Sequence, residues 1–186
     1  MYDVKEDKTV KNNFIVITGG PGSGKTSILQ ALDRMGFSCV QETGRSIIRQ
    51  RVEKNLPPRP APGEFAKEMF TIDYTNYLRY TTRSEPIFFD RSFMDSAALL
   101  QRFNPDYFEQ VKKIISGHRF HNRVFIARPW KTIYVNDEER DQTFEEAVST
   151  YEIMHRWYTS NGYELLVLPE VAVPERVKFI LDSIGI

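Results

Sequence analysis

Phe14-Ile15-Val16-Ile17-Thr18-Gly19-Gly20-Pro21-Gly22-Ser23-Gly24-Lys25-Thr26-Ser27 is the stretch whose reading decides the fold. It opens on an unbroken apolar run of β-branched and aromatic residues, as a strand buried on both faces of a parallel sheet requires. Beyond it Ile28, Leu29, Leu32 and Met35 recur at the spacing of an amphipathic helix, which Gly36 ends. Between strand and helix, Gly19 to Thr26 fits G-x-x-x-x-G-K-[ST] at every fixed position. The backbone through Gly20, Pro21, Gly22, Ser23 and Gly24 can curl so that its N–H groups face phosphate oxygens. The helix entered through Lys25, Thr26 and Ser27 adds the positive end of its dipole. Lys25 is placed to reach β- and γ-phosphates, and the Thr26 hydroxyl to ligate Mg²⁺. An incidental glycine turn would not need this flanking strand and helix. The pattern therefore predicts a protein that binds ATP with Mg²⁺.

Working outward, Phe37–Gln41, Pro86–Asp90, Val124–Ala127 and Leu165–Leu168 read as four further strands. Helical patterns cover Thr43 to about Asn55, Glu64 to about Arg83, Ser92–Phe103, Pro105–Ser116, Thr143–Asn161 and Glu175–Ser183. Strands that alternate with helices predict a parallel α/β sheet in a three-layer sandwich. Leu56 to Gly63 holds Pro57, Pro58, Pro60 and Pro62, so it reads as a loop within one domain spanning residues 1–186. Within that domain, residues 12–55 form the cradle and second strand, 56–85 a helical insertion beside the acceptor, and 128–142 a polar lid.

Two carboxylates follow strands. Asp90 ends the third, so it emerges at the sheet edge that carries the cradle, where open α/β folds place their sites. A magnesium or catalytic role explains it better than capping the helix that starts at Ser92. Glu42 follows the second strand and can lie across the cleft from Asp90. One could hold the metal while the other accepts a proton from an attacking hydroxyl; alternatively, Glu42 merely complements the dipole of its own helix. Arg45, Arg91, Arg128 and Arg140 are candidates for phosphate contacts, because a guanidinium fork matches phosphate oxygens. Arg45 lies one turn beyond Glu42, and Arg91 adjoins Asp90. Arg49 reads as a surface group.

Bulk composition excludes several classes. Twenty-five basic and 25 acidic residues give no net charge, which removes the general electrostatic attraction to nucleic acid. The amino terminus mixes both charge signs, and no apolar run approaches a membrane span, so a cytoplasmic protein is expected. The single cysteine, Cys39, reads as a buried thiol, and His118, His121 and His155 lack the cysteine companions of a transition-metal site. No Asn-Lys-x-Asp guanine signature occurs, which argues against a GTPase, and the chain has no room for the helical lid domain of a ring-forming ATPase.

The cradle, Glu42-Thr43-Gly44-Arg45, Phe89-Asp90-Arg91-Ser92 with Asp95, and Asp137 to Phe144 together resemble a family of small AAA-type predicted ATPases. That family is similar to ribosylnicotinamide kinase domains and, more distantly, to nucleoside and nucleotide kinases. The resemblance runs from about Asn13 to the end. It implies a 2-3-1-4-5 strand order, a mobile lid carrying Arg140, and an acceptor flanked by Glu42, Asp90 and Arg91, with Arg45 and Asp95 nearby. Ser92 departs from thymidylate kinases, which often carry an aromatic residue there. A kinase for a small hydroxyl or phosphate acceptor is the first expectation; a switch ATPase acting through a protein partner is the second.

Overall fold

Alternation along each strand of the central sheet sorts its side chains into two cores, one per face. The computed structural model describes residues 9–134 and 143–186. The chain runs through β1 (Thr9–Val10), β2 (Phe14–Gly19), α1 (Lys25–Arg34), β3 (Ser38–Val40), α2 (Thr43–Glu53) and α3 (Pro62–Arg79). It continues through β4 (Ile87–Asp90), α4 (Phe93–Phe103), α5 (Pro105–Gly117), β5 (His118–Arg119) and β6 (Arg123–Ala127). A 3₁₀ turn (Lys131–Ile133), α6 (Phe144–Ser160), β7 (Glu164–Val167) and α7 (Val173–Ile184) complete it. Phe14 and Val16 of β2 point to one face with Ile87, Phe89, Val124 and Ile126, where α3 to α6 cover them. Ile15 and Ile17 point to the other with Phe88 and Phe125, under α1 and α7. Burial of each such side chain contributes about 1.5–3 kcal/mol, so β2, buried along its whole length, anchors both layers.

The main sheet is parallel and five-stranded, ordered β3-β4-β2-β6-β7. Counted along the chain within that sheet, this is the expected 2-3-1-4-5. The order puts β2 at the centre, and the carboxyl ends of β2 and β4 side by side: Ile17 is in register with Asp90. The cradle and Asp90 therefore share one edge by construction.

Several local expectations shift. Helix α3 begins inside the proline run, because Pro62 occupies a first-turn position where its missing N–H costs nothing. Cys39 is half-buried rather than buried, since β3 is an edge strand; burial still pushes its thiol up to about 12. The short parallel pair of β1 with β5 has no counterpart in the hydrophobic pattern. No helix among the described residues is long and apolar enough to cross a membrane.

Candidate active site

The cradle turns between β2 and α1 with left-handed backbone at Gly22 and Gly24 (φ 71° and 80°), conformations a side chain would strain. A Cβ at Gly22 would collide with the Tyr134 ring, and one at Gly20 with the Ala147 carbonyl of α6. Lys25 is buried, and its Nζ donates to the Gly20 carbonyl at 2.8 Å. Burial lowers its ammonium to about 8, with Arg91 adding to the effect and Asp90 and Glu42 opposing it. The Ser23 hydroxyl donates to the Gly20 carbonyl at 2.8 Å and locks the turn. Arg176 of α7 braces it from outside, its Nη1 donating to the Ser23 carbonyl at 3.1 Å.

Across the cleft, a chain of alternating charge crosses three elements. Arg45 Nε lies 3.4 Å from Glu42 Oε2, Arg91 Nε donates to Glu42 Oε1 at 3.1 Å, and Arg91 Nη1 lies 3.4 Å from Asp95 Oδ1. Burial alone would raise the Glu42 carboxyl, but Arg91, Lys25 and Arg45 outweigh it and hold Glu42 below the usual range. It is ionised at neutral pH. Burial works against the Arg91 charge, yet Glu42, Asp95 and Asp90 raise it beyond its ordinary value. Arg91 adopts left-handed backbone (φ 66°) while its N–H donates to the Ile17 carbonyl at 3.0 Å. Strain of this kind costs roughly 1–3 kcal/mol and persists where surrounding contacts over-determine the residue.

The capping explanation for Asp90 fails geometrically, whereas Glu42 does stand at the start of α2, where its charge complements the helix dipole. Ser92, not Asp90, caps α4, its hydroxyl accepting from Met94 N–H at 3.1 Å while Asp95 returns the bond to Ser92 N–H at 3.1 Å. Glu42 occupies the cap position of α2 without a side-chain cap bond and reaches the arginines instead. Asp90 is 4% exposed, and its Oδ1 finds no partner among the described residues. Burial pushes its carboxyl up to about 6, against the pull of Lys25.

One cleft of about 920 Å³ runs from the cradle to the row of Glu42, Arg91 and Asp95; Asp90 is not among the residues that line it. The cradle from Pro21 to Ser27 lines it, as do Glu42, Arg45, Arg91 and Asp95, with apolar walls from Phe65, Leu99, Phe103 and Trp130. Thr26 and Ser27 border it at the start of α1. Arg128 is not brought there: it is exposed and hydrogen-bonded to Tyr151. Arg140 lies outside the described residues. Sequence reasoning missed Asp73, Tyr158 and Arg176. Asp73 of α3 accepts from the hydroxyls of Thr43 and Ser96, which ties α2 and α4 together beside the cleft. The Tyr158 hydroxyl donates to Asp95 Oδ2 at 2.6 Å. The sequence marked a helix over Thr143–Asn161, but nothing in it marked the polar end of Tyr158.

A parallel sheet in this order, with the cradle at its central strand and an acid-arginine pair at the neighbouring strand end, defines the P-loop kinase-like fold. The family model described as AAA domain matches residues 14–176, and the chain belongs to that family. No match was found among curated proteins. Deoxyadenosine kinase from M. mycoides with products dCMP and a flexible dCDP superposes with a TM-score of 0.67 at 17% identity, over 92% of this chain and 98% of that one. The same kinase with bound dATP gives 0.64 at 15%, over 93% and 100%. The NadR protein in complex with NR gives 0.69 at 16%, over 97% of this chain and 52% of its own. These likenesses are of fold.

Proposed function

We propose that the protein transfers the γ-phosphoryl group of ATP to a small acceptor, in the manner of a nucleoside or nucleotide kinase, within the cytoplasm. The observation that carries this reading is the single cleft. It runs from the cradle to the Glu42–Arg91 pair, with room and apolar walls for a second ligand beside the phosphates. The likeness to a deoxyadenosine kinase that holds dATP or dCMP, and to the NadR protein that holds NR, supports a nucleoside-like acceptor.

Lys25 and the N-terminus of α1 bind the triphosphate and favour charge developing on it. The buried, unpartnered Asp90 Oδ1 beside Lys25 fits a cation or its bound water, so Thr26 and Asp90 are the residues that would hold Mg²⁺. That ion, when bound, supplies charge neutralisation on the phosphates. A hydroxyl oxygen of the acceptor attacks the γ-phosphorus, the bond to the β–γ bridging oxygen breaks, and ADP leaves. Glu42, ionised and facing the cleft, accepts the hydroxyl proton, and Arg91 orients the acceptor.

The test is a screen of nucleosides, nucleotides and vitamin-like alcohols for acceptor-dependent ADP formation. At least one acceptor should raise ADP production well above the acceptor-free rate. A protein that binds ATP yet shows no acceptor dependence across the screen would be a switch ATPase instead.

A further inference from the structure

Asp95 borders the cleft, yet its oxygens are already committed. Thr18 Oγ1 and Arg91 Nη1 converge on Oδ1; Ser92 N–H, Ser92 Oγ and Tyr158 Oη converge on Oδ2. A carboxylate has about four lone-pair sites, so no acceptor capacity is left for a ligand. The residue is 3% exposed, and a charge so buried is tolerable only when hydrogen-bonded and paired, as here. Four of its donors come from residues of β2, the α4 cap and α6. The fifth is Arg91.

We infer that Asp95 and Tyr158 are positioning residues, a hub that fixes the Arg91 guanidinium at the cleft; the catalytic consequence rests on the kinase reading above. Tyr158 is fully buried, and burial together with the Asp95 charge drives its hydroxyl far above the ordinary value, so it remains a donor at all working pH. The Arg91 fork is gripped on two sides, by Glu42 at Nε and by Asp95 at Nη1, and its backbone is held in the left-handed region. Helix α6 gives the hub its reach. At one end its Ala147 carbonyl packs on Gly20 of the cradle, in the middle Thr150 and Met154 line the cleft, and near the other end Tyr158 holds Asp95. Thr18, just before the cradle, binds the same carboxylate. The phosphate side and Arg91 are thus built on one polar network.

The experiment follows hydrogen exchange at the Arg91 Nε–H of the full chain by ¹⁵N NMR, the resonance assigned by its loss in Arg91→Lys. In Tyr158→Phe the Asp95 grip slackens, the fork swings off Glu42, and exchange should accelerate about tenfold, the scale of one charge-assisted hydrogen bond. Tyr163→Phe is the control. It removes a hydroxyl that accepts from Phe120 N–H in the adjoining ring pair, and it leaves Asp95 untouched. Faster exchange in Tyr158→Phe alone supports the inference; equal rates in wild type and Tyr158→Phe, or equal acceleration in both variants, overturn it. Should Tyr158→Phe fail to fold, Asp95→Glu, which keeps the charge and shifts it, takes its place with the same expectation. In the kinetic arm, Tyr158→Phe should lower acceptor-dependent kcat about tenfold with ATP affinity unchanged. Absence of acceptor-dependent turnover in wild type would count against the kinase reading, while the exchange arm still decides the positioning role.

Discussion

The two ends of the cleft are made of different materials. The cradle is main chain: glycines in left-handed conformations, a helix N-terminus, and one lysine folded back on its own loop at 2.8 Å. The opposite end is side chain: Arg45, Glu42, Arg91 and Asp95 in a row of alternating charge, steadied by Asp73 and Tyr158 from other helices. A main-chain site binds one kind of group and changes little when side chains vary. A side-chain site can be retuned residue by residue, so under the proposed kinase reading the identity of the acceptor belongs to this end and affinity for triphosphate to the other.

The sharpest way to break that division is Glu42→Gln. Acceptor-dependent turnover should fall about 10³-fold, the scale of losing a proton acceptor, while ATP affinity stays within about twofold. Steady-state kinetics beside calorimetric ATP titration would show it, and parallel losses in both would erase the distinction. Lys25→Ala should do the converse. ATP affinity drops about 100-fold, as expected for loss of a charged donor to phosphate, in a protein whose circular dichroism is native. Smaller effects concern the scaffold. Ser92→Ala removes the α4 cap and should lower stability by about 1 kcal/mol, a fall of about 3 °C in Tm.

A further effect on the scaffold is a slope. Burial raises the Asp73 carboxyl from 3.8 to about 7, against the hydroxyl bonds from Ser96 and Thr43 that favour its charge. The folded chain therefore holds this proton more tightly than the unfolded chain does. Its contribution to stability is present below about pH 4, declines as pH rises, and is gone above about 7. Asp73→Asn should flatten the pH dependence of denaturant midpoints across that window; an unchanged slope would place the titrating group elsewhere.

How much of this could be read beforehand follows from the same contrast. The cradle is contiguous, so its eight-residue pattern and flanking elements declared it whole. The placement of Asp90 and Glu42 was legible because strand ends in a parallel sheet share an edge. Asp73 and Tyr158 were not, since their partners lie 23 to 66 residues away and each sits in a helix whose period reports burial without reporting polarity. Arg128 misled for a related reason: it follows a buried strand, as Asp90 does, but the backbone there carries it outward, and the cleft wall falls to Trp130 and Ile133.

Trp130 has a consequence of its own. The chain contains two tryptophans, and the other, Trp157, packs edge-on against Phe108 at 6.0 Å nearer the C-terminal end of α6. One indole borders the cleft and the other is lodged in the scaffold, so the protein carries its own fluorophore and its own reference. Emission in Trp130→Phe and Trp157→Phe would separate the two signals, and nucleotide arrival could be followed in real time without any label.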